Sequence, residues 1–167
     1  LPLFISIYLI IRSKSYFKPI LVGVLTFLIF QVFTRIYILQ VILPTQVWYI
    51  LFTYDYPIVY AFLLSLTAGL FEEIGRYIMM KYILRKMDIK KALAFGLGHG
   101  GIEAILFVGI ALVLTNPMLI DSQQLLMSGL ERFSAIIFHL GFSVLVYQSF
   151  LVHKIIFILG VRLYGTR

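Results

Sequence analysis

The feature that most constrains this chain is a series of apolar runs, each about as long as a bilayer is thick. Residues 19–43, 57–83, 92–115 and 129–152 are almost wholly apolar. A bilayer-spanning helix needs roughly 20 such residues, and inside a bilayer the backbone must satisfy its own hydrogen bonds, as a helix does. The runs therefore predict an all-α, polytopic transmembrane helix bundle with about four complete spans. Residues 1–11 and 155–164 are apolar as well, but each is only about half a span. They predict a partial span at either end. The first has no initiator Met and no basic region before it, so it reads as the tail of a truncated helix rather than a signal peptide.

Composition closes off the other classes. Hydrophobic residues make up 62% of the chain and charged residues 13%, against about half and about a quarter in soluble domains. So few charges cannot coat so much apolar surface. This excludes a soluble globular protein and a disordered chain. The absence of cysteine excludes a disulfide scaffold, a Cys zinc site and a thiol nucleophile. Nothing marks a linker, a repeat or a second domain, so residues 1–167 read as a single transmembrane domain.

The net charge of +7 does not form a nucleic-acid-binding face, because the basic residues punctuate the apolar runs. Connections 12–18 and 81–91 are basic, and His153-Lys154 weakly so, whereas 44–56 and 116–128 contain no Lys or Arg. This alternation is the positive-inside pattern. It places 12–18 and 81–91 in the cytoplasm and 44–56 and 116–128 on the outer side. Trp48, Tyr49, Tyr54 and Tyr56 suit an interfacial anchor, and Met79-Met80 suits ordinary packing.

The informative residues are the charges inside the runs: Arg35, Glu72, Glu73, Arg76, His99, Glu103, Glu131, Arg132 and His139. Each is expensive at bilayer depth, about +3 kcal/mol on insertion scales. They must converge on a shared polar cavity or neutralise one another. Their spacing favours convergence. Glu72 and Glu73 lie at i−4 and i−3 from Arg76, so both carboxylates can reach its guanidinium. His99 and Glu103 are an i, i+4 pair on one face. At about 1.5 Å per residue, Glu72, His99 and His139 sit at similar depth on separate helices, roughly 12–20 Å from their cytoplasmic ends.

Two adjacent acids beside one arginine suit different protonation states, and one of them can take a proton from water. Histidines from facing helices can share that water or donate to an oxyanion. Two histidines and a carboxylate can instead ligate a metal with a position left for water. No nucleophile elbow and no HExxH is present. Among the supporting residues, Glu103 is expected to accept from His99 and hold its ring, Arg132 to pair with Glu131, and Arg35 to counter one of the surplus acids. The glycines around His99 (Gly96, Gly98, Gly100 and Gly101) let another backbone or a substrate come close.

Glu72-Glu73-Ile74-Gly75-Arg76 resembles the paired-glutamate motif of the CAAX-protease and bacteriocin-processing superfamily of intramembrane proteases, and Phe95 to His99 matches its FxxxH motif. The blocks EEIGRY, GHGGIEA and ERFSAIIFH, in order on successive helices, more closely resemble the YhfC-type membrane peptidase family, and the PrsW proteases are similar. The resemblance covers Arg35 to about Leu145. It implies an intramembrane peptidase of a bacterial plasma membrane, acting on a membrane-associated peptide or protein. Glu72 or Glu73 would activate water with the aid of His99, and His139 would serve as oxyanion donor or ligand. The cofactor would be none or a divalent metal such as zinc, held in the metal-dependent case by His99, His139 and Glu73. One departure stands out. The superfamily's later HxxxN or HxxxD motif is missing, since His139 is followed four on by Ser143 and His153 by Phe157. That departure leaves a catalytically inactive, partner-binding relative as an alternative. A proton-coupled transporter is a second one, since intramembrane acids and histidines also form proton relays.

Overall fold

A computed structural model describes residues 2–114 and 121–152. Among these residues, four helices are long and apolar enough to cross a membrane. We number the helices α1 (Pro2–Arg12), α2 (Lys14–Thr45), α3 (Val47–Asp55), α4 (Pro57–Tyr82), α5 (Ile89–Leu114) and α6 (Ser122–Val152). The spanning helices α2, α4, α5 and α6 correspond to the four apolar runs, and α1 is the short apolar helix expected at the start. The apolar stretch 155–164 and His153 lie outside the described residues, as does part of the connection 116–128.

Beyond shifts of a few residues at the starts of α2 and α5, the element boundaries depart from the sequence reading in two places. The connection 44–56 is largely a helix, α3, which carries the expected interfacial aromatics. Tyr49 is buried there, and its hydroxyl meets that of Tyr60 at 2.7 Å. Burial and that hydrogen bond push the Tyr49 phenol up to about 12. The helix α6 begins at Ser122 rather than near Gly129, capped by Asp121, whose Oδ2 accepts from the Gln124 N–H at 3.1 Å. A polar first turn forms where a capping acid satisfies it.

Helix α5 lies at the centre, with α2 and α6 packed along it. Its glycines make that possible. A Cβ on Gly98 would stand 2.9 Å from the carbonyl carbon of Ile20, and one on Gly96 would stand 2.6 Å from the carbonyl oxygen of His139. Within lipid, helices gain little from apolar burial against each other, so close approach over small residues carries the packing. Towards the end where the basic connections lie, Val22, Met80, Leu84, Phe95 and Val146 form a dry cluster joining α2, α4, α5 and α6. The polar residues stand farther along the same helices.

Over Phe27–Ile36 the turns of α2 widen to hydrogen bonds five residues long, and Thr34 Oγ1 donates to the Ile29 carbonyl at 2.6 Å. Such widened turns often accompany functional sites. Here the widened segment aims Gln31 and Arg35 at α4. Arg35 Nη2 donates to the Leu64 carbonyl at 2.6 Å, and Gln31 Nε2 to the Ala68 carbonyl at 3.1 Å.

Candidate metal centre

Helix α4 supplies Glu72, Glu73 and Arg76, helix α5 supplies His99 and Glu103, and helix α6 supplies Arg132 and His139. One ligand atom from each of Glu72, His99 and His139 lies within 4.8 Å of the others. His99 and Arg76 are fully buried, and His139 nearly so. The imidazoles of His99 and His139 have their centroids 4.7 Å apart. Phe27 presents its edge to His99 at 5.4 Å, and Phe95 stacks beside it at 6.3 Å. Gly100 makes room for His139, whose Cδ2 would lie 2.8 Å from a Cβ at that position.

His139 is held from both sides. Arg76 Nη2 lies 2.9 Å from its Nδ1, and Glu103 Oε2 lies 2.5 Å from its Nε2. A guanidinium can only donate, so Nδ1 is the acceptor and Nε2 carries the proton that Glu103 receives. Arg76 also pairs with Glu73, and its guanidinium stands over the Phe142 ring at 5.8 Å. Beyond Glu103, Arg132 Nη1 donates to Glu103 Oε1 at 2.7 Å, and Arg132 also pairs with the exposed Glu131.

Several side chains have different partners from those their spacing predicts. Glu103 holds His139 rather than His99, because its carboxylate turns across to α6, where Arg132 and the His139 N–H both draw it. Arg76 bonds Glu73 but not Glu72. Glu72 Oε1 instead accepts from Gln31 Nε2 at 2.7 Å, and its Oε2 stands 3.9 Å from His139 Nδ1. Adjacent residues on a helix point about 100° apart, which sends the two carboxylates different ways. The carboxylate grouped with the histidines is consequently that of Glu72, where the sequence reading named Glu73 as the third ligand. Among the described residues, Arg35 makes no direct ion pair with an acid. It donates to Gln31 Oε1 at 3.4 Å and to Thr67 Oγ1 at 3.2 Å, and its hydrogen-bonded link to Glu72 runs through Gln31.

Gln31 went unnoticed in the sequence, and Ser143 was named only as a departure from the later motif. Gln31 is buried and links Arg35 to Glu72. Ser143, one turn beyond His139, is also buried, and its Oγ has no hydrogen-bond partner among the described residues. A neutral polar residue inside a spanning run is the signal that marks both.

The residues fit a divalent metal. Among the described residues, both ring nitrogens of His99 are buried without a hydrogen-bond partner, and a buried imidazole without partners is costly. Two imidazoles and one carboxylate are a donor set that zinc accepts. Ligand atoms around a tetrahedral zinc stand roughly 3.3 Å apart, so the trio needs only a modest closure from its 4.8 Å spread. The Glu103–His139 contact is the carboxylate–histidine arrangement that orients metal-bound imidazoles.

Comparison with known proteins points the same way. The uncharacterized membrane protein YhfC of Bacillus subtilis (strain 168) is 29% identical over 181 residues, an alignment that covers 87% of this chain and 68% of that protein. No solved structure matches the chain. The YhfC intramembrane metalloprotease family matches residues 1–125, which include the whole of α4 and α5 with the paired glutamates and His99, and on that match the chain belongs to this family.

Proposed function

We propose that this protein is a metal-dependent endopeptidase that hydrolyses a peptide bond in or beside the bilayer, with Glu72, His99 and His139 holding a divalent ion. The observation that carries this reading is His99. An imidazole with both nitrogens buried and unpartnered, grouped with a second imidazole and a carboxylate from other helices, has little structural rationale. As a ligand, one nitrogen gains its partner.

A bound divalent ion supplies Lewis acidity towards a carbonyl and lowers the pKa of a water beside it. The chain's own residues do the rest. Glu73 follows the ligand Glu72 in the chain, and its Oε2 is buried without a partner among the described residues. That oxygen is the proton acceptor for the attacking water, and the acid returns the proton to the leaving amine. Arg76 binds the other oxygen of Glu73 and steadies its charge. Glu103 fixes the His139 tautomer, while Phe27 and Phe95 exclude water from His99. The substrate is an apolar or membrane-anchored peptide, and the protein resides in the cell membrane with connections 12–18 and 81–91 facing the cytoplasm.

The test uses purified protein in detergent, equilibrated with zinc and then dialysed. The wild type is expected to retain about one zinc per chain and to cleave at least one of a panel of transmembrane peptides. His99→Ala and Glu72→Gln lose both, and Glu73→Gln keeps the metal and loses cleavage. A wild type that retains no zinc, manganese, cobalt or nickel and cleaves nothing sinks the proposal. Ser143 at the position where the resemblance expects Asn or Asp favours a second reading, an inactive relative that binds membrane partners. Retention of metal with no cleavage of any peptide supports it.

A further inference from the structure

The strongest unexplained feature of the site is that His139 Nδ1 has two claimants. It is the ring nitrogen nearest Glu72, at 3.9 Å, and it already accepts from Arg76 Nη2 at 2.9 Å. An imidazole nitrogen has one lone pair in the ring plane, which cannot serve a guanidinium N–H and a metal ion together. The other nitrogen cannot take over, because its proton is donated to Glu103 at 2.5 Å, and that contact is compatible with metal at Nδ1. We infer that Arg76 is an internal competitor of the metal, and that loading the site and withdrawing Arg76 from His139 are one exchange. This inference rests on the metal-dependent reading above.

The surroundings suit such an exchange. Arg76 is fully buried, so a charge displaced from His139 needs another partner at hand. Glu73 provides it, since it grips Arg76 through a different nitrogen, Nη1, and sits on the same helix one turn away. Arg76 can swing from Nδ1 while this grip holds. Its Nε has no hydrogen-bond partner among the described residues, so the guanidinium is not fully pinned. The buried cation also opposes a divalent ion by plain repulsion, which acts in the same direction. Arg76 is thus a positioning residue. It holds His139 for the site when the ion is not there and sets how tightly the ion is held.

The exchange is testable by zinc affinity, measured in detergent by competition with a chromophoric chelator. Arg76→Met is expected to bind zinc at least tenfold more tightly than the wild type. Because that change strands Glu73, the double variant Glu73→Gln with Arg76→Met is measured beside it, and it too binds more tightly than the wild type. Adding His139→Ala abolishes the gain in both backgrounds, which a general loosening of the bundle would not produce. Size-exclusion profiles and circular dichroism identify the folded variants, and Arg76→Lys, which keeps the charge but shortens the reach, gives an intermediate affinity. Equal or weaker zinc binding by the folded Arg76 variants overturns the competition and leaves the metal site standing if the wild type binds. Binding by neither the wild type nor any variant overturns both.

Discussion

Helices α4 and α5 make an instructive pair. Both span 26 residues, and both deliver ionisable groups to the bundle centre. They are held there by different means. Over an apolar 18-residue stretch of α5, 29% of the residues are buried, against 6% over the corresponding stretch of α4. Helix α5 is clamped between α2 and α6 by backbone-to-backbone contact over Gly96 and Gly98. Helix α4 lies at the side, and polar side chains tie its inner face in place: Arg35 and Gln31 to its carbonyls, Gln31 to Glu72, and Arg76 to His139. The polar residues of α5 therefore stand on a rigid support, while those of α4 help to dock the helix that carries them. Changing a site residue on α4 alters the architecture as well as the chemistry.

The contrast breaks most readily at glycine. Gly96→Leu drives a side chain into the α6 backbone, where neither partner can yield, and overpacking of this kind costs about 3 kcal/mol or more. The folded fraction should collapse in a thermal size-exclusion assay. Gly69 on α4 is the control, since a Cβ there would meet nothing within 4 Å. Gly69→Ala should be neutral or stabilising by up to ~1 kcal/mol from helix propensity. Equal damage at both sites would erase the distinction between the two helices.

The next largest effect falls on the link between α5 and α6. Glu103→Ala removes the acceptor of the His139 N–H, and loss of such an orienting carboxylate weakens metal binding by roughly 10- to 100-fold. Arg132 then loses one of its two acids, but it keeps Glu131. Zinc affinity should drop in that range while the melting temperature moves little. An unchanged affinity would mean that the Glu103 contact does not orient His139 for the ion.

A smaller effect sharpens the picture of α4. Gln31→Leu deletes the two interhelical hydrogen bonds that Gln31 donates, to Ala68 and to Glu72, along with the one it accepts from Arg35 within α2. Interhelical hydrogen bonds in membranes average about 0.6 kcal/mol and reach about 1.7, so roughly 1 kcal/mol of stability should go in an unfolding titration. Glu72 also loses the group that orients it, and zinc affinity should fall with stability. A loss confined to stability would reduce Gln31 to a fastener for α4.

The spans were legible because bilayer thickness imposes a length that no soluble fold requires, and the runs found by composition are the helices observed. Two details were not legible. The aromatic stretch around Trp48 has no clear period, so nothing signalled that it coils into α3. The first turn of α6 is polar at Gln123 and Gln124, which hid a helix that Asp121 caps. At the site, charges inside apolar runs marked Glu72, His99, His139 and their neighbours, because burying a charge requires a reason. Spacing told which residues share a face of one helix. It could not tell which neighbouring helix that face meets, so Glu103 was assigned to His99 when a residue of α6 was nearer. Neutral Gln31 carried no charge to draw notice, although it joins Arg35 to Glu72.

The smallest predicted effect concerns how each helix starts. Helix α5 has a side-chain cap: Asp88 Oδ1 accepts from the Lys91 N–H at 2.8 Å. Helix α4 begins at Pro57 with no side-chain cap. The Lys91 N–H, aided by the Lys91 ammonium, holds the Asp88 carboxyl below its ordinary range. A carboxylate depressed in the folded state stabilises fully above its unfolded value, about 3.9, and that stability disappears as pH falls through the lower folded value. The exposed ion pair with Lys91, at 3.3 Å, adds little by itself. Asp88→Ala should therefore cost about 1 kcal/mol at neutral pH, the usual worth of a cap, and less in strong acid. Asp88→Asn separates the two contributions, because the amide oxygen still caps but does not titrate. It should match the wild type at pH 7 and lack the acid-dependent loss. If instead it behaves like Asp88→Ala at pH 7, the charge rather than the cap anchors the start of α5, and the support beneath His99 is electrostatic at that end.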